Sequence, residues 1–181
     1  AGEARSLVSP EERLAWLTHV LGPLDVIDVA GYPVGLATVI PAAVSVGFSD
    51  VDSGLVAGDT DVRCEIICAA AGAGAGAQQR AMAVAGTWNT LVGQGIPAQP
   101  GTLLPGLVDD PALTVHHGLL REPQIFDRGT PMVTEPGRMT LLLELVLLTD
   151  EEYGIAAEQG LDVLERRLRR RRMDLGDWGR D

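Results

Sequence analysis

The chain has 181 residues, 46% hydrophobic and 22% charged, which is enough apolar material for one compact domain spanning 1–181, with a core expected over roughly 10–170. Two cysteines exclude a disulfide framework, no apolar run reaches the ~18 residues of a bilayer span, and the N-terminus lacks a signal-peptide layout, so the sequence reading is a cytoplasmic protein with no membrane contact. The net charge of −11 opposes nucleic acid and favours a basic protein partner.

The charge is uneven. Residues 1–160 carry 20 acidic side chains against 7 arginines, whereas residues 161–181 carry 5 against 7. All 14 cations are arginine, a bias that suggests a GC-rich, actinobacterial-like bacterial source.

In chain order, Ser9-Pro10-Glu11-Glu12 forms a capping box opening a helix, with Leu14, Leu17 and Leu21 as its buried stripe and Gly22-Pro23 as its stop. Leu24–Ala30 and Ala37–Phe48 are rich in Val and Ile and, broken by Gly31, Pro33, Gly35 and Pro41, read as strands separated by turns or irregular loops. Asp59–Ala69 alternates as a strand with Val62, Cys64, Ile66 and Cys68 on one face and Arg63, Glu65 and Ile67 on the other. Ala69–Ala77 reads as a flexible linker, and Gln78–Val92 as a helix carrying Met82, Ala85, Trp88 and Val92 at helical spacing. Residues 96–111 read as irregular and Leu113–Leu120 as a strand. Arg138–Leu148 is apolar on both faces, as expected of a central strand covered on each side. A second capping box, Thr149-Asp150-Glu151-Glu152, turns it directly into a helix, and Leu161, Leu164 and Leu168 mark the last helix.

Five features invite a chemical reading. Gly72–Ala77, between a strand and a helix, matches the dinucleotide pattern Gly-x-Gly-x-x-Ala, yet no strand ending in an acidic ribose ligand follows it, and no P-loop is present. Cys64 and Cys68 share a strand face about 13 Å apart, too far to hold one ion, and read as buried thiols. His116 and His117 point to opposite faces and cannot share a metal without a bulge, and His19 falls on the first helix without an evident partner. Gly47-Phe48-Ser49-Asp50 lacks the second glycine of a nucleophile elbow, so Ser49 and Asp50 read as capping local backbone at a strand end. The competing class is an enzyme using the Gly72–Ala77 loop for a nucleotide, or Ser49 with Asp50 and a histidine for hydrolysis. The basic run Arg166–Arg172 reads as a solvated helix end, with Asp162 pairing Arg166 and Glu165 pairing Arg169.

Three stretches together resemble the suppressor of fused family. They are Val44–Asp50 followed by Asp61–Ile66, Leu119–Phe126 with its Glu122-Pro123-Gln124, and Glu135-Pro136-Gly137-Arg138 running through Leu148 into Thr149–Tyr153. The resemblance rests on Gly47, Ser49, Asp50, Arg63, Glu65, Gly137, Glu144, Thr149 and Glu152, with Glu65-Ile66 where the family has Glu-Leu. It implies an α+β fold: a mixed, mainly antiparallel sheet with a long central strand, flanked by about four helices, like the family's amino-terminal domain. It also implies a non-enzymatic protein-binding or regulatory role with no cofactor, no catalytic residue and no metal. Bacterial members are similar to immunity proteins, and the negative charge suits a basic toxin domain. Identity of the partner, binding face and oligomeric state stay open at this level. Glu144, isolated among leucines, calls for an arginine, with Arg63 or Arg138 the expected partner.

Overall fold

The computed structural model describes residues 9–52 and 54–181. Helix α1 (Pro10–Leu21) leads into strands β1 (Leu24–Val29), β2 (Tyr32–Ala37) and β3 (Ala43–Ser45), a 3-10 turn at Phe48–Asp50, then β4 (Val56–Ala57) and β5 (Thr60–Cys68). Helix α2 (Ala77–Gln94) precedes β6 (Leu103–Leu104), β7 (Val115–Arg121), β8 (Met132–Glu135) and the longest strand, β9 (Arg138–Thr149), after which come α3 (Asp150–Gln159) and α4 (Leu161–Arg171). The nine strands form one sheet in the order β1-β2-β3-β5-β9-β7-β6, with β4 added on β5 and β8 on β9. Every pairing is antiparallel except β5 with β9. This is the α+β architecture expected from the sequence, with β9 central. No described helix is long and apolar enough to cross a membrane.

Strand alternation sorts the core into two layers. Cys64, Ile66 and Cys68 of β5, and Leu143, Leu145 and Leu147 of β9, pack against α2. The opposite face of the sheet is shared. Ile67 and Leu142 meet Leu17 and Leu21 of α1, and Val146 and Leu148 meet Ile155, Leu164 and Leu168 of α3 and α4. At the helix starts, the Ser9 hydroxyl accepts from the Glu12 amide, one half of the expected box, and Thr149 and Glu152 form theirs in both directions.

Several local expectations are corrected. Tyr32–Ala37 is a strand, because Ala30 and Gly31 both take positive φ (54° and 93°) and close a two-residue hairpin that overrides the punctuation of Pro33 and Gly35. Of the stretch Ala37–Phe48, Ala37 ends β2 and Ala43–Ser45 forms β3, the rest lying outside the strands around Pro41. On helix α2 half of the expected stripe holds: Ala85 and Trp88 face the sheet, with Ala81, Val84 and Leu91 beside them, whereas Met82 is 57% exposed and Val92 is also exposed. Small alanines let the helix approach closely, and Trp88 packs edge-on against Phe48 at 5.9 Å and on Tyr32 at 5.0 Å.

Ala69–Ala77 is an ordered connection and not a free linker. The Gly72 amide donates to Gly176 O (2.8 Å) and the Trp178 amide to Ala73 O (2.8 Å), so the C-terminal segment is stitched to it. A Cβ on Gly72 would come within 2.7 Å of the Gly176 carbonyl, which is why glycine is needed there. The same tail buries Trp178 and sends Arg180 under α3, where its guanidinium donates to Glu152 (2.7 Å) and to Leu147 O (2.6 Å). Arg180→Ala would leave a buried carboxylate unpaired and is expected to cost about 3 kcal/mol, read as a lower urea midpoint at unchanged slope.

Candidate functional site

Alternation along β5 points Glu65 to the face covered by α1, where it is fully buried. Five donors converge on it. The amides of Gly47, Phe48 and Ser49 reach its carboxylate at 3.1, 2.9 and 3.1 Å, and the hydroxyls of Ser45 and Ser49 at 2.6 Å each. The three amides can converge only because Gly47 sits at φ 129° and opens the 3-10 turn, a conformation that a side chain would strain. Ser45 Oγ in turn accepts from Ile66 N at 2.8 Å. Burial pushes the Glu65 carboxyl up, and the two hydroxyls, the Ser49 amide and the Arg13 charge pull it back down. Both oxygens are occupied by the protein's own donors, so this carboxylate has no access to a substrate. Its role is to fix the chain from Ser45 to Asp50.

The clamp presents an acidic surface. Arg13, buried on α1, places Nε 3.6 Å from Glu65 and donates to Asp50 at 2.5 Å, whose side chain is 67% exposed. Arg63, also buried, donates to Ser49 O (3.0 Å), pairs with Asp61 (2.8 Å) and lies 3.7 Å from the exposed Asp52. Two arginines thus act from beneath as supports for carboxylates that face solvent. Ser49 donates to Glu65 and does not cap local backbone, and Asp50 is held by Arg13, so the two form no nucleophile and base pair.

The histidines are engaged elsewhere. A bulge between Val115 and His117 is present on β7. His116 Nε2 contacts Asp110 O at 3.1 Å, while His117 Nδ1 accepts from Gly106 N (2.9 Å), its Nε2 meets Asp150 (2.7 Å) and its ring stacks on Tyr153. The hydrogen bond from Gly106 assigns the proton to Nε2. Cys64 and Cys68 are buried free thiols; burial raises both, Cys68 to about 12. Among the described residues no three His, Cys, Asp or Glu side chains are grouped as metal ligands.

Glu144 is partnered by neither arginine anticipated for it. The β7–β9 register sets Arg121 directly opposite, with Nε 3.2 Å from the carboxylate, and the Gln124 amide adds a bond at 3.2 Å. Arg63 and Arg138 instead lie beside Asp61, at 2.8 and 3.9 Å. Gly137, at φ 79°, makes the turn between β8 and β9, and its carbonyl accepts from Asp61 N at 2.8 Å. In the basic run, Arg166 Nε meets the Asp162 carbonyl (3.3 Å), Glu165 pairs with Arg121 (3.5 Å), and Arg167 and Arg171 reach Glu151 (3.2 and 3.6 Å). The expected pairs along α4 are therefore replaced by pairs that fasten α4 to α3 and β7. Beside Gly72 lies a cleft of about 320 Å³ whose lining includes Glu144 and Asp174 and no arginine, while Arg80 of α2 is bonded to the Ala70 and Ala75 carbonyls at 3.0 and 2.6 Å.

Arg13 and Arg121 escaped the sequence reading. Arg13 lies four residues before Leu17 and eight before Leu21 on the buried stripe of α1, and an arginine on an apolar stripe is itself a signal for a buried acid. Arg121 carried no signal apart from its place at the end of a strand.

No protein-family model matches the chain, and no curated protein matches its sequence. Solved structures do match. The Sufu-Fu complex crystal structure superposes with a TM-score of 0.61 at 13% identity, over 93% of this chain and 87% of that one. The crystal structure of Drosophila Suppressor of Fused gives a TM-score of 0.51 at 14% identity over 86% of this chain, which spans only 40% of that structure's chain. At such identities the likeness lies in the backbone and its layers. The chain has a suppressor of fused-like fold.

Proposed function

We propose that this chain is a non-enzymatic domain that binds a basic protein partner, acts as a single unit in the cytoplasm, and in its sharpest form is an immunity protein neutralising a basic toxin domain. The observation that carries the reading is the pair of exposed carboxylates, Asp50 and Asp52, backed by the buried Arg13 and Arg63. A carboxylate held in place from below meets an incoming cation without first losing side-chain freedom, and the −11 charge steers that cation from a distance. The fold likeness to a structure solved as a complex supports the same class of role. The buried Glu65, Glu144 and Glu152 are closed within structural partners and offer no acid or base to a substrate.

Binding to a basic toxin domain encoded beside the gene is expected to weaken steeply with salt, and the double substitution Asp50→Asn, Asp52→Asn to weaken it about tenfold in a protein that still melts cooperatively. Co-expression with that toxin should restore growth, and failure to protect while binding persists would remove the immunity role alone. A robust thermal shift with NAD or ATP would instead revive an enzyme.

A further inference from the structure

We propose that the edge of β1, unpaired among the described residues, is a docking site for an extended, arginine- or lysine-rich segment of the partner, which adds to the sheet as an outer strand. The inference rests on the reading of a basic protein partner and says where and how that partner is held.

The backbone pattern of β1 follows from its hairpin. Ala30-Gly31 is a two-residue turn, so Val29 and Tyr32 form the closing hydrogen-bonded pair, and with the register Ile27↔Val34 and Asp25↔Leu36 the odd-numbered residues bond inward to β2. The bond from Thr38 N to Pro23 O extends that series by one step. Leu24, Val26 and Asp28 therefore turn their N–H and C=O groups outward, along a strand that ends the sheet. At the opposite end, β6 is two residues long with Leu104 buried, and offers no comparable ladder.

Sheet edges are ordinarily blunted by lysine, proline or a bulge. This one carries none of these: β1 runs Leu24-Asp25-Val26-Ile27-Asp28-Val29 in unbroken register, and Val26 and Ile27 are 45% and 39% exposed. Its only charges are Asp25 and Asp28. Between Arg13 and Arg63 the chain has six aspartates and no arginine or lysine, so nothing contributed by this part of the sequence neutralises the edge. That selects the occupant. A second copy would bring four aspartates into one short ladder, where like charges oppose pairing, whereas a strand with cations at alternate positions would meet Asp25 with opposite charge on one face and lay its apolar side chains on Val26 on the other, Asp28 being already held by the Gly31 amide at 2.7 Å.

The test uses the full chain and a ten-residue peptide alternating arginine with valine and threonine, with a glutamate-for-arginine peptide as control. The arginine peptide is expected to slow amide hydrogen exchange at Val26 and Asp28 about tenfold, leaving Ile27, already bonded to β2, little changed, and the glutamate peptide to do nothing. Val26→Pro removes an outward N–H while leaving the inward ladder whole, and should weaken binding about tenfold. Should that variant lose its fold, Asp25→Arg serves instead, reversing charge at an exposed position, with the same loss expected. Protection elsewhere on the protein, or unchanged affinity of either folded variant, would overturn the docking site while leaving the partner-binding reading intact. Protection at Val26 and Asp28 that rises with protein concentration alone would assign the edge to a second copy and overturn it as well. No binding of the arginine peptide up to about 1 mM, with salt-dependent capture of a basic partner retained, would refute the edge alone; loss of both would refute the reading beneath it.

Discussion

Glu65→Ala is expected to cost about 5 kcal/mol, enough to remove most of the stability of a domain this size, and to appear as insoluble expression or a collapsed melting transition. The arithmetic is local. The substitution strips the acceptor from three backbone amides and two hydroxyls in a fully buried site, and each orphaned donor carries a desolvation penalty of roughly 1 kcal/mol or more. It also leaves Arg13 with Asp50 alone, since the two carboxylates share that guanidinium. Glu65→Gln preserves volume and one acceptor oxygen but turns its amide hydrogens towards other donors, so an intermediate loss should follow. A variant at position 65 that melts with the wild type would show that the clamp is dispensable.

Leu143→Asp is expected to abolish soluble protein. Leu143 lies in the parallel register with Ile66, in the middle of β9, and its side chain enters the layer beneath α2 among Leu145, Leu147 and Val84. An ionised carboxylate there would be surrounded by apolar side chains, and the penalty exceeds about 5 kcal/mol. Leu143→Met keeps volume and apolarity and should cost less than about 1.5 kcal/mol. Normal yield and melting of the aspartate variant would mean that β9 tolerates solvent on the α2 side, against the arrangement described above.

The elements legible in the sequence were those whose signal is local. The β5 alternation, the two-sided apolarity of β9 and the Thr149 to Glu152 box each depend on spacing within a few residues, and each forms where the pattern placed it. Punctuation misled where two local signals disagreed. Pro33 and Gly35 argued for a loop, but Pro33 falls opposite Asp28 in the pair that exchanges no hydrogen bonds between the two strands, so its missing N–H costs that ladder nothing. On α2, helical spacing grouped Met82 and Val92 with Ala85 and Trp88, whereas the sheet selected the alanine-rich side that permits close approach.

Partners distant in sequence were a different matter. That Glu144 needed an arginine was evident from its apolar neighbours; that the arginine is Arg121 depends on how β7 slides along β9. Likewise the burial of Glu65 followed from alternation, but the convergence of Gly47, Phe48 and Ser49 on it required β3 to lie beside β5, and Arg13 to arrive from a helix some fifty residues earlier. The tail gave no sign at all that Trp178 and Arg180 would close the Gly72 loop and the α3 cap.

The sequence by itself determined the class of architecture, the long central strand, the helix starts and the acidity of the body, because hydrophobic period, capping chemistry and charge are properties of neighbouring residues. Only the tertiary structure decided which arginine meets which carboxylate, which aspartates are propped towards solvent, and that β1 ends the sheet with its backbone open. Those outcomes are fixed by strand order and register, and a shift of one residue in register would turn every one of those side chains to the other face.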